Sequence, residues 1–230
     1  MAVALTGTPT AVVWAAGTDP AAQSVTIPAD ATAVYMFWSY WNNSSGYGLH
    51  PTSTLLNGNA PDQTFETAGT TLLAATGVAV WYNPSTGSQS LDPTFDASPT
   101  EGATTIVAYV KGGDTTAWGD ADGDHNSDAT AVSVTLTTNS DDLVLKYDQR
   151  WDNSAPQDPP GTSANWTSRQ TQSAINDENV RLSSADSPGA STTVCDSENE
   201  NYSSICAVAI PVAPAGGGGI EILRRRIEGN

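Results

Sequence analysis

Apolar side chains crowd one short stretch of this chain, Val34-Tyr-Met-Phe-Trp-Ser-Tyr-Trp41. Successive residues of a strand face opposite ways, which puts Val34, Met36, Trp38 and Tyr40 on one side and Tyr35, Phe37, Ser39 and Trp41 on the other. Both sides are apolar. A strand with a solvated face would alternate, so this one is predicted to run mid-sheet, with core beneath it. Its second face needs a further layer, a covering loop, a neighbouring subunit or a ligand.

Shorter runs with strand patterning follow, separated by Gly, Pro, Asn and Asp. Gln23 to Ile27 leads through Pro28-Ala-Asp30 into the aromatic strand, and Leu72 to Tyr82 ends at the turn Asn83-Pro84-Ser-Thr-Gly87. Ser88 to Phe95, Thr104 to Val110, Ala131 to Thr137 and Leu143 to Arg150 continue the series. Within them Val132, Val134 and Leu136 alternate with Ser133, Thr135 and Thr137, the mark of a half-buried strand. A last pair, Ser191 to Asp196 and Tyr202 to Pro211, reads as a hairpin turning near Glu200 and Asn201. No stretch holds a 3.6-residue apolar period for three turns. Roughly ten to twelve strands predict an all-β, antiparallel two-sheet sandwich of jelly-roll type. Asn153 to Ser163, with Pro156, Pro159 and Pro160, is predicted to be a long surface loop, and no internal repeat of fixed period is apparent.

Composition changes after Pro211. Residues 1–213 are assigned to the sandwich, 214–219 to a Gly-rich linker and 220–230 to a C-terminal peptide. In that peptide Ile220, Leu223 and Ile227 fall on one side of a two-turn helix beside Arg224, Arg225 and Arg226. A helix this short is stable only when docked, so these six residues are the expected partner-docking set.

The 230 residues carry 8 basic and 25 acidic side chains, a net charge of -17. Such a charge opposes phosphate neutralisation, which excludes nucleic-acid binding as the main role. It suits a saline or extracellular setting. The N-terminus lacks a basic n-region and Gly7 and Pro9 interrupt its apolar runs, which predicts synthesis without Sec export. The sequons at Asn43, Asn165 and Asn201 then carry little weight. No run of about 18 apolar residues is present to span a membrane.

The densest set of oxygen ligands is Asp120, Asp122, Asp124, Asn126 and Asp128, a candidate calcium loop. It departs from an EF-hand: counted from Asp120, His125 stands where glycine is required and Ala131 where a bidentate Glu is. Asp196, Glu198 and Glu200 are acids at period two that a glycan hydrolase or lyase could use, but as hairpin-tip residues they read first as a solvated loop. Cys195 and Cys206 would oppose one another across that hairpin, as a disulfide or as two buried thiols. His50 and His125 lie in predicted loops outside any triad pattern, and Lys111 and Lys146 are expected to point to solvent. No nucleophile elbow, P-loop or dinucleotide fingerprint occurs, so no catalytic residue and no required cofactor are assigned. Trp41, Tyr47, Trp118, Trp151 and Trp166 lie in or beside loops rich in Asn and Asp, the pattern of a sugar-stacking surface.

The pattern Ser24-Val-Thr-Ile-Pro-Ala-Asp-Ala-Thr-Ala-Val34, the Thr/Gly/Asp-rich β body and the Gly-rich exit into a short peptide resemble structural proteins of tailed bacteriophage particles. Decoration, spike and tail proteins of that group are commonly jelly rolls or related sandwiches. The resemblance implies a non-enzymatic virion protein, made in the host cytoplasm and carried on the particle exterior, whose partners are other structural proteins or copies of itself. The alternative from the residues alone is an adhesion module that binds a surface glycan, with or without calcium.

Overall fold

Val, Ile and Thr alternating with small polar residues favour extended backbone, and the chain takes it throughout. The structure, a computed structural model, describes residues 2–14, 21–41, 51–67, 74–95, 103–125, 132–151, 166–173, 178–185, 192–196 and 203–214. Among them are sixteen strands and no helix. In chain order these are β1 (Ala4–Leu5), β2 (Thr10–Trp14), β3 (Gln23–Ile27), β4 (Ala33–Trp41), β5 (Pro51–Leu56), β6 (Gln63–Glu66), β7 (Ala74–Tyr82) and β8 (Gly87–Phe95). Then come β9 (Ala103–Lys111), β10 (Asp120–His125), β11 (Ser133–Thr137), β12 (Leu143–Trp151), β13 (Thr167–Ser173), β14 (Glu178–Ala185), β15 (Thr192–Asp196) and β16 (Ser203–Ile210).

All strand pairs are antiparallel, and they form four sheets. Sheet I is β3-β8-β5; sheet II is β1-β9-β4-β7-β6, with β2 also on β9; sheet III is β10-β16-β12-β14-β13; sheet IV is β11-β15. Three buried apolar layers separate them. Val25, Ile27, Leu56 and Leu91 of sheet I meet Val34, Met36, Trp38 and Val107 of sheet II. On the other face of sheet II, Tyr35, Phe37, Val80 and Ile106 meet Leu145, Tyr147, Leu182 and Val208 of sheet III. Val144, Ile205 and Ala207 of sheet III then meet Val134, Leu136 and Cys195 of sheet IV. The antiparallel sandwich expected from the sequence is present, and it occurs twice.

The second apolar face of β4 is therefore covered by sheet III of the same chain. Each large side chain removed from water there contributes about 1.5–3 kcal/mol, as an upper bound. The prediction for residues 132–137 holds in detail: the three apolar side chains are buried and Ser133, Thr135 and Thr137 exposed.

Strand pairing shows a repeat that the sequence reading missed. In the first half β2 pairs with β9, β3 with β8 and β4 with β7, while β9 joins β4. In the second half β10 pairs with β16, β11 with β15 and β12 with β14, while β16 joins β12. Nested pairs of this kind are a long hairpin rolled into two sheets, the jelly-roll order. The innermost strands, β6 and β13, pair with β7 and β14. Among the described residues only the first half has a further strand, β5. Counterpart strands begin at Ala33 and Leu143 but also at Ala103 and Ser203, so unequal loops break any single period along the chain.

The halves meet like through like. Phe37 and Tyr147 hold the same place in β4 and β12, and their rings stack with centroids 5.8 Å apart. Beside them Ser39 and the Tyr147 hydroxyl are 2.8 Å apart, and that hydroxyl donates to the Thr104 carbonyl at 3.1 Å. Beyond β9 and β16 the chain ends also pair: Gly113 bridges Val212, and Ala213 donates its N–H to the Gly112 carbonyl at 2.9 Å. Equivalent surfaces in contact are the arrangement of a twofold dimer, here within one chain.

Candidate functional site

The acidic stretch at Asp120 is a strand, not a loop. In β10 the residues Asp120, Asp122 and Asp124 oppose Ala209, Ala207 and Ile205 and so share one face. Their work is structural. Asp120 Oδ2 accepts the Thr137 N–H at 2.7 Å and Asp124 Oδ2 the Ser133 N–H at 3.4 Å, so the carboxylates take donors from β11 and close the seam between sheets III and IV. Asn126 and Asp128 lie outside the described residues. Among the described residues no three His, Cys, Asp or Glu side chains are grouped to hold a metal ion.

The predicted terminal hairpin is likewise corrected. The jelly-roll winding sends β15 to β11 and β16 to β10 and β12, so Cys195 and Cys206 stand in different sheets. Both are free, buried thiols. Burial, with the Asp122 carboxylate next in effect, pushes the Cys206 thiol far up and keeps it protonated. His125 ends β10, half-buried, and burial lowers its pKa against the smaller opposing pull of Asp124. Glu198 and Glu200 lie outside the described residues.

Of the candidate ligand aromatics, Trp118 is half-buried against the layer between sheets II and III, with its backbone N–H donating to Gln63 Oε1 at 3.2 Å. Trp166 packs against the layer between sheets III and IV. Tyr47 and the side chains of Trp41 and Trp151 lie outside the described residues, as does the whole docking set from Ile220 to Ile227.

Two features were not anticipated. The first is a buried charge cluster in the second sandwich. Lys146, expected at the surface, is fully buried, as is Asp148, and Arg181 is nearly so. Asp148 Oδ2 accepts from Arg181 Nη2 at 2.9 Å and Nε at 3.3 Å, with Lys146 Nζ at 3.4 Å. The ammonium also lies 4.6 Å from the centre of the Trp166 ring. Asp148 Oδ1 and Ser183 Oγ, on the same face, lack hydrogen-bond partners. In the first sandwich the places of Lys146 and Asp148 are held by Met36 and Trp38, both core residues. Lys146 and Asp148 on the same face as Val144 were the available signal, and they could be interpreted only by aligning the two halves.

The second is a cleft of about 410 Å³ at one end of the first sandwich, between the turn after β5 and the turn after β7. Leu56 and Asn59 exchange backbone hydrogen bonds of 2.9 and 3.0 Å around Asn57 and Gly58, whose φ angles are 51° and 80°. Positive φ at both central residues is the Asn-Gly hairpin turn that matches strand twist. Across the cleft Asn83 is also left-handed, at φ 48°, and its N–H is fixed on the Thr32 carbonyl at 2.8 Å. Trp81 forms the base, buried, with its indole N–H on the Asn59 carbonyl at 2.9 Å. Sequence analysis read the segment after β7 as a turn but not the one after β5, and it could not supply that β5 and β7 carry the two to the same end. No protein-family model, curated protein or solved structure matches this chain.

Proposed function

We propose that this chain is a non-enzymatic structural subunit of a viral particle or comparable assembly, carried on its outside. The observation that supports this reading most is the jelly-roll strand order repeated twice and fused face to face. Jelly rolls recur in viral capsid and lectin domains, and doubling one produces a rigid four-layer block from a short chain. Its buried layers are occupied by packed side chains.

The block would contact neighbours through polar surface and through its C-terminal peptide. Outward residues of the outer sheets are small and polar, as in the 2.8 Å contact of Ser24 with Ser88. Val13 is the one exposed large apolar side chain among the described residues. Ile220, Leu223 and Ile227 therefore offer the apolar surface for fastening, with Arg224, Arg225 and Arg226 drawn to the acidic body of a neighbour carrying a net charge of -17. A flexible tether raises the effective concentration of such a peptide at its site.

The test is the solution mass of the full chain and of a form ending at Pro214, by size exclusion with light scattering. The expected result is a defined oligomer that the truncation dissolves. Two identical monomers would refute fastening through the tail.

A further inference from the structure

We infer that the cleft at the end of the first sandwich is a binding site for a neutral, polyhydroxylated ligand of mono- or disaccharide size. Its volume of about 410 Å³ falls within the range of small-molecule sites. Four amides line it, those of Asn57, Asn59, Asn83 and Gln89, with the Asp62 carboxylate at the rim. An amide presents donors and an acceptor side by side, and a hydroxyl is itself both, so amides match hydroxyls; Asn59 Nδ2 and Gln89 Nε2 also donate to the Leu56 and Thr86 carbonyls at 3.4 and 3.1 Å. No Lys or Arg lines the cleft, and the chain as a whole is strongly acidic, which disfavours phosphate, sulfate or carboxylate ligands.

The walls are held before any ligand arrives. The Asn57 N–H is bonded to the Ser90 carbonyl at 2.7 Å, Asp62 Oδ2 accepts the Tyr82 N–H at 2.7 Å, and the Trp81 indole ties down the Asn59 carbonyl. Preorganisation of this kind removes an ordering cost from binding. Among the described residues of the second half no strand takes the place of β5, the strand that carries the wall bearing Asn57 and Asn59.

The experiment is an NMR titration of the full chain with glucose, galactose, mannose, N-acetylglucosamine, lactose and cellobiose, following the Trp81 indole N–H and the asparagine side-chain amides. At least one sugar should shift these resonances saturably in the millimolar range, and sodium phosphate should not. In the N57G/N83G variant glycine keeps the left-handed backbone while both amides are lost; affinity should fall at least about tenfold with the melting midpoint unchanged. Gln89→Ala, on a separate strand, should weaken binding in the same direction. The inference is overturned if no sugar gives a saturable shift at the cleft, or if both variants bind as the parent does. These readouts are independent of assembly through the tail.

Discussion

Asp148 is the residue on which the interior of the second sandwich depends. At an effective dielectric constant near 20, charges 3.4 and 2.9 Å apart, the separations of Lys146 Nζ and Arg181 Nη2 from Asp148 Oδ2, attract by about 5 and 6 kcal/mol. Desolvating three charges consumes most of that gain, so the cluster's net contribution is small. Removing only its anion is a different matter. Asp148→Ala leaves a fully buried ammonium beside a nearly buried guanidinium, and the expected loss is about 3–5 kcal/mol of a total stability of about 5–15 kcal/mol.

Replacing the whole cluster should reverse the sign. With Lys146→Met, Asp148→Leu and Arg181→Met together, these three charges no longer have to be desolvated, and the expected change runs from neutral to about 4 kcal/mol more stable. Urea unfolding followed by far-ultraviolet circular dichroism reads both, through shifts of the midpoint at constant slope. Because the cluster is buried, its effect should hardly change between low and high salt. The reasoning is refuted if Asp148→Ala costs less than about 1 kcal/mol, or if the triple replacement is as damaging as the single one.

Other expectations follow from the same geometry. Tyr147→Phe should cost about 1–2 kcal/mol in urea unfolding by removing the hydroxyl shared with Ser39 and the Thr104 carbonyl. Gly77→Ala should cost about 1–3 kcal/mol or more, since a Cβ there would run into the Trp38 ring and the Phe65 carbonyl oxygen; an unchanged melting midpoint would contradict that packing. Neither cysteine should react with an aromatic disulfide reagent at pH 8 until denaturant is added, when two thiols should appear. The Thr6 hydroxyl first and the Lys111 ammonium second hold the Asp30 carboxyl below its ordinary value, so the unfolded chain binds that proton more readily. Stability from this group is present above the ordinary carboxyl pKa and lost as pH falls through the lowered one; Asp30→Asn should flatten the acid limb of the urea midpoint against pH.

What the sequence could disclose followed the strength of its patterning. β4, β7, β9, β11, β12 and β16 were legible because each buries a face against core, and that demand writes itself into alternating or continuous apolar residues. β13 and β14, reading Thr-Ser-Arg-Gln-Thr-Gln-Ser and Glu-Asn-Val-Arg-Leu-Ser-Ser-Ala, were missed because ladder hydrogen bonds, not apolar side chains, define much of their length. β10 was missed for a related reason: three carboxylates at period two look like a cation loop until a neighbouring strand's N–H groups are known to face them. Cys195 and Cys206 show the same limit for pairing. Adjacency in sequence suggested a hairpin, whereas nested winding pairs β15 with β11 and β16 with β10 and β12.

The duplication makes each half a control for the other. Where β4 buries Met36 and Trp38, β12 buries Lys146 and Asp148; where the first half inserts β5 and its Asn-Gly turn, the described second half has no counterpart. Charge in a core is seldom retained for stability alone. The shared layer is apolar on both sides, with Tyr35, Phe37 and Ile106 against Leu145, Tyr147 and Val208. The change from apolar to charged residues lies in an outer compartment, while the inner one packs the halves together. A ligand site in the first compartment could consequently be altered, or the charges of the second removed, without disturbing the contact that unites them. Variants of the two should therefore combine additively, the cleft residues and the Asp148 cluster having no side chain in common.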